Sequence, residues 1–129
     1  YTKLTIKKMT NNFSLKEFES NDGSEMPSDV YLNIVKLAGQ LQFLRDYTGK
    51  AIKINSGYRS PEYNAKIGGV KNSQHILGKA ADIRIEGMKP KEVHTIIEEL
   101  ISKGDMLQGG LGLYSSFVHY DFRGRKARW

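Results

Sequence analysis

The sequence predicts an α+β fold in one domain: a small antiparallel sheet with helices packed on it. Three observations carry this. Residues 28–47 repeat apolar side chains at spacings of three and four, the period of a helix with one buried stripe. Segments 51–55, 79–86 and 109–122 are short apolar or alternating runs with glycines at or near their ends, as strands are. The order is helices first, then strands broken by helices, which differs from a regular strand–helix alternation. At 129 residues, 39% hydrophobic and 26% charged, the chain is long enough for one domain with its own core.

The elements follow in chain order. "KLTIKK" reads as a short strand or extended arm within residues 1–11. "SLKE" has capping-box spacing, with Ser14 as N-cap and Glu17 three residues on, so a short helix runs through "FES". "NDGSEMPS" is a turn-rich loop. Ser28 then caps a helix from Asp29 to about Tyr47, whose stripe is Val30, Ile34, Leu37, Leu41, Leu44 and Tyr47. Gly49 closes it. "AIKIN" is a strand, and "SGYRSPEYN" turns away from it with a short helix after Pro61. Gly68 and Gly69 open a loop that runs to His75, and "KAADIRIE" is the next strand. Pro90 suits the first turn of a helix through "KEVHTIIEELISK", ended by Gly104. "GGLGLYSSFVHYDFRG" reads as two strands joined at "SS".

Composition removes several function classes. With no cysteine there is no disulfide, no thiolate metal site and no cysteine nucleophile. No apolar run approaches the ~18 residues of a membrane span. The opening "YTKLTIKK" lacks the apolar stretch of a signal peptide, and its first residue is Tyr, as in a processed chain or an excised domain. Twenty Lys plus Arg against 14 Asp plus Glu give a net charge of +6, which favours anionic partners such as nucleic acid, anionic lipid or a cell-wall polymer. The densest basic run, "RGRKAR" at 123–128, lacks interleaved aromatics and reads as a solvated tail over 123–129. A nucleic-acid-binding domain would leave the histidines and aspartates below unexplained.

Those residues are few. Of three histidines, His94 sits on the helix after Pro90 with no partner at motif spacing, and reads as a surface or packing residue. His119 lies in "FVHYDF", where the two-residue period puts Phe117, His119 and Asp121 on one face. Asp82 interrupts an otherwise apolar strand, seven residues after His75. His75, Asp82 and His119 are ligand types that zinc takes, and three protein ligands leave a fourth position for water. Gly78 permits a sharp turn before the strand, and Ala80 and Ala81 leave room beside the ligands. On spacing alone, a wet polar strand face remains the alternative for both carboxylates. Arg59, in a loop after a strand, can hold a carboxylate with a bidentate fork or be an ordinary exposed arginine.

Together, "SGYRSPEYN", "SQHILGKAAD" and "GGLGLYSSFVHYDFRG" resemble the zinc D-alanyl-D-alanine carboxypeptidase and murein endopeptidase family, whose zinc sites are of the hedgehog type. The shared pattern is Ser73-x-His75-x-x-Gly78-x-Ala80-x-Asp82 followed by His119-x-Asp121 on a C-terminal strand. "NNFSLKEFESNDG" is similar to the helix start of phage and bacterial members, so the resemblance covers about residues 12–125. It implies one Zn²⁺ on His75, Asp82 and His119, with Arg59, Ser73 and Gln74 contacting substrate. It further implies peptidoglycan stem peptides as partners, no nucleic acid, a monomer, and action at the cell envelope, the periplasm or the extracellular wall, from a bacterium or a phage lysin. Some relatives carry an acidic residue three positions before the second histidine, where this chain has Ser116. Asp121 is then the carboxylate expected to act as base or to support His119. A wall-binding or virion module that keeps the fold without catalysis is the competing expectation.

Overall fold

The computed structural model describes residues 8–129. The expected arm at 1–11 falls mostly outside the described residues; within them, Lys8 bridges to Ser14. A 3₁₀ turn, Leu15–Phe18, follows, and Glu17 reaches back to accept from the Ser14 N–H at 2.8 Å, as the capping-box spacing requires.

Helix α1 spans Ser28–Thr48 and ends at Gly49, whose φ of 68° is open to glycine at little cost; its N–H donates to the Arg45 carbonyl at 2.9 Å. Pro27 occupies the cap position, one residue earlier than expected. The stripe Val30, Ile34, Leu37, Leu41 and Leu44 is buried, joined by Ala38. Tyr47, expected on that stripe, is half exposed, because the helix's last turn has passed the edge of the core.

Strand β1 (Ile52–Ser56), helix α2 (Pro61–Lys66), strand β2 (Ala80–Ile85), helix α3 (Pro90–Ser102) and strands β3 (Gly110–Leu113), β4 (Val118–Asp121) and β5 (Ala127–Arg128) complete the chain. Ser60 caps α2 by accepting from the Tyr63 N–H at 3.0 Å. The sheet order is β1-β2-β4-β3-β5. All pairs are antiparallel except β3–β5, so the sheet is mixed rather than purely antiparallel. The exception is made by the expected basic tail. The Leu113 N–H donates to the Trp129 carbonyl at 2.8 Å, and Arg128 is forked to Glu98 and held by the Gly109 carbonyl. Ala127 and Arg128 are therefore part of the sheet edge and half-buried, with Trp129 bonded beside them, while 124–126 and Trp129 are exposed.

The middle strands β2 and β4 are covered on both faces, so Asp82 is not a solvated strand residue. One face presents Ala81, Ile83, Ile85, Val118, Tyr120 and Leu111 to a core completed by α1 and α3. Each such aliphatic side chain contributes about 1.5–3 kcal/mol on burial. The other face carries a different row. Register pairs Ser56 with Asp82, Asp82 with His119, and His119 with Gly112, so these four residues lie side by side across four strands. Ala80 pairs with Asp121 one step along.

Candidate metal centre

His75 reaches this row from a compact loop. Backbone bonds from Ile76 to Ser73 and from Gly78 to His75 wind residues 73–78 tightly before β2 begins. Gly78 has φ of 78°, and a Cβ there would lie 2.7 Å from a Val30 methyl, so the turn and its seat on α1 both require glycine. Ser73 Oγ accepts from the His75 N–H at 3.1 Å, and His75 Nδ1 lies 2.8 Å from the Gly57 carbonyl.

The three expected ligands converge. One donor atom from each of His75, Asp82 and His119 lies within 4.8 Å of the others, and all three residues are buried. Asp82 Oδ1 is 3.2 Å from His75 Nε2 and 3.1 Å from His119 Nδ1. The opposite nitrogens identify the tautomers. A carbonyl only accepts, so His75 carries its proton on Nδ1 towards Gly57. An ionised carboxylate only accepts, so His119 carries its proton on Nε2 towards Asp121 Oδ2, at 2.7 Å. With a cation bound between them, the rings are neutral and His75 Nε2 and His119 Nδ1 direct lone pairs at it; without one, the short contacts to Asp82 Oδ1 are hydrogen bonds that these ring nitrogens donate. Two imidazole nitrogens and one carboxylate oxygen converging on one point are a donor set that zinc takes. The outer bonds to Gly57 and Asp121 orient the rings as metal-bound histidines are oriented.

Charge is stabilised here against burial. Burial works to raise Asp82, but hydrogen bonds and charge from His119 and His75 hold its carboxyl well below the usual carboxylate range. Burial likewise opposes ionisation of Asp121, and bonds from His119, Arg123 and the Gly110 N–H overcome it. Burial would lower His119, yet its bonds to Asp121 and Asp82 raise it.

Asp121 has no exposed surface. Its oxygens accept from His119, from the Arg123 fork at 2.9 and 2.7 Å, and from the Gly110 N–H at 2.8 Å. Arg59, expected to offer its fork outward, donates Nη2 to Asp82 Oδ2 and Nε to Ser56 Oγ, both at 3.0 Å. Both arginines nonetheless line a cleft of about 490 Å³ over the ligands, together with Ser73 and Gln74. Ser116 lies exposed in the β3–β4 turn, outside that lining, and His94 is half-buried on α3, away from it.

One wall of the cleft was not anticipated. Trp129 packs 5.0 Å from the His119 ring and donates its indole N–H to the Tyr114 hydroxyl at 2.8 Å; Tyr114 stacks on Phe117 at 4.4 Å. The glycines of "GGLGL" make the space: a Cβ on Gly110 would collide with the Asp121 carboxylate, and one on Gly112 with the Trp129 indole. Glycines alternating along a strand are the signal that could have revealed a close approach on that face.

Comparison with known proteins places the chain in a peptidase family. Residues 7–121 match the Peptidase M15 family profile. The chain is 30% identical to the peptidoglycan L,D-endopeptidase MepK of Escherichia coli strain K12 over 117 residues, 85% of this chain and 58% of that protein. It is 40% identical to the probable peptidoglycan L,D-endopeptidase MepK of Haemophilus influenzae over 77 residues, 54% of this chain and 38% of that protein. It is 44% identical to the zinc D-Ala-D-Ala carboxypeptidase of Streptomyces albus G over 45 residues, 34% of this chain and 18% of that protein. The chain thus spans between 38% and 58% of the length of the two MepK relatives.

Proposed function

Since this chain belongs to the Peptidase M15 family, we propose that it is a zinc-dependent peptidase of peptidoglycan, cutting a stem-peptide or cross-link bond at a D-amino acid. The observation that carries this reading is the convergence of His75 Nε2, Asp82 and His119 Nδ1 at the floor of an open cleft, each ring fixed from behind. When bound there, zinc supplies Lewis-acid activation of water and of the scissile carbonyl.

The chain's own residues do the rest. Gly57 and Asp121 hold the two rings with their lone pairs inward. Arg59 keeps the outer oxygen of Asp82 engaged, leaving Oδ1 between the histidines. Ser73 stiffens the loop of His75, and Gln74 lies where a substrate carbonyl would pass. Asp121 acts through His119 as a positioning residue: buried and five times bonded, it does not reach a substrate proton. Action at the bacterial cell envelope or on the extracellular wall follows from the substrate, and a phage lysin would use the same chemistry.

One observation favours a second reading. Among the described residues lining the cleft, Asp82 is the only carboxylate, so no free acidic side chain stands ready as a base. A wall-binding module with the same metal site would look like this. Digestion of purified peptidoglycan separates the two, with mass spectrometry of the products. A peptidase releases defined muropeptides, loses that activity with a chelator and regains it with zinc. Binding to sacculi without any released fragment would reject the peptidase reading.

A further inference from the structure

Three arginines line the cleft: Arg59, Arg123 and Arg125. Two of them are committed. Arg123 gives Nε and Nη2 to the two oxygens of Asp121, a complete bidentate fork. Arg59 gives Nη2 to Asp82, Nε to Ser56 and, more weakly, Nη1 to Asn64 at 3.4 Å. Arg125 is exposed and has no hydrogen bond or ion pair among the described residues. Its backbone is nonetheless held. Gly124, at φ 93°, turns the chain and donates to the Gln108 carbonyl at 3.1 Å, and Ala127 donates to Gly109 at 3.3 Å. The fold therefore presents a free guanidinium at the cleft from an anchored turn, beside the Trp129 wall.

We propose that Arg125, rather than Arg59, takes the free carboxylate of the bound peptide and so selects substrates carrying one beside the scissile bond. This rests on the peptidase reading above. The charges support it: the carboxylates of Asp82 and Asp121 neutralise Arg59 and Arg123, and Arg125 is the cation left over for an anionic group. An arginine fork matches a carboxylate in two parallel bonds, which a lysine cannot reproduce.

The chain contains one tryptophan, Trp129, and it lines this cleft, so its fluorescence reports binding without turnover. The experiment titrates zinc-loaded protein with an uncleavable stem-peptide analogue, its scissile amide replaced by a methyleneamine, bearing a free α-carboxylate, and with the same analogue as its α-amide. The unaltered chain binds the carboxylate form about tenfold more tightly, the scale of a charge-assisted pair at an exposed site. Arg125→Ala abolishes the preference, and Arg125→Lys keeps part of it. Equal affinity of the unaltered chain for both peptides, or a preference that survives Arg125→Ala, overturns the proposal. Zinc-loaded protein that shows the Arg125-dependent preference but releases nothing from peptidoglycan overturns the peptidase reading alone. Protein that cleaves while Arg125→Ala keeps the preference overturns this assignment alone.

Discussion

Strands β2 and β4 have two buried faces with opposite chemistry. On the helix side, Ala81, Ile83, Val118 and Tyr120 are held by contact with other apolar groups, a non-directional interaction that tolerates exchange of one aliphatic for another. On the cleft side, Ala80, Asp82, His119 and Asp121 are nearly as buried, but their stability depends on partners at fixed angles. Burying a carboxylate costs several kcal/mol unless charge and hydrogen bonds compensate. The difference teaches where function can reside: a polar group is retained in a dry position only if its partners, here including a cation, are all in place.

Substitutions on the two faces should separate along that line. The largest effect is expected from Asp82→Ala. It removes a ligand and strands His75, His119 and Arg59, so zinc per chain falls from one to none. Activity drops by more than about 100-fold, since the loss even of outer-shell partners costs ~10–100-fold. Metal analysis and peptidoglycan digestion check both. On the opposite face, Ile83→Ala leaves a cavity and lowers stability by ~2–5 kcal/mol, read by thermal unfolding, while zinc per folded chain stays at one. A loss of zinc from folded Ile83→Ala would break the distinction between the faces.

Asp121→Asn tests the support of a ligand. Zinc affinity falls by ~10–100-fold, and activity returns at saturating zinc if Asp121 only positions His119. Activity that stays low at saturating zinc would identify Asp121 as the proton carrier instead.

The smallest effect lies at the edge strand that carries Trp129. Glu98, forked to Arg128, has its carboxyl held below its ordinary value of 4.5, chiefly by that hydrogen bond. A depressed folded-state pKa stabilises above the unfolded value, and that stabilisation is lost as pH falls through the folded one. Glu98 is 40% exposed at its side chain, so solvent screens the pair, and Glu98→Gln costs no more than ~1 kcal/mol at neutral pH. The difference between the two proteins shrinks below pH 4.5 and vanishes once Glu98 is protonated.

Much of this was legible because it is local or periodic. The α1 stripe, the Gly49 terminus, the capping box at Ser14 and the strand around Asp82 are each written within a few residues. The ligand set was legible because Asp82 violates the apolar pattern of its strand, and a violation of a buried pattern points to a partner. What was missed depends on distant pairing. Two residues of parallel strand at 127–128 have no period to detect. The basic run hid the fact that Arg123 and Arg128 answer Asp121 and Glu98, because charge counting does not say which cation meets which anion. The bond from Arg59 to Asp82 spans 23 residues of sequence, so no local pattern shows it.

One zinc ion completes the polar face of β2 and β4. Equilibrium dialysis of the chain against zinc at neutral pH, followed by metal analysis, tests it directly, with the His75→Ala/His119→Ala double variant alongside. One zinc per unaltered chain, tightly held, and none specifically bound by the variant are expected. Equal zinc in both proteins, or none in either, would contradict this.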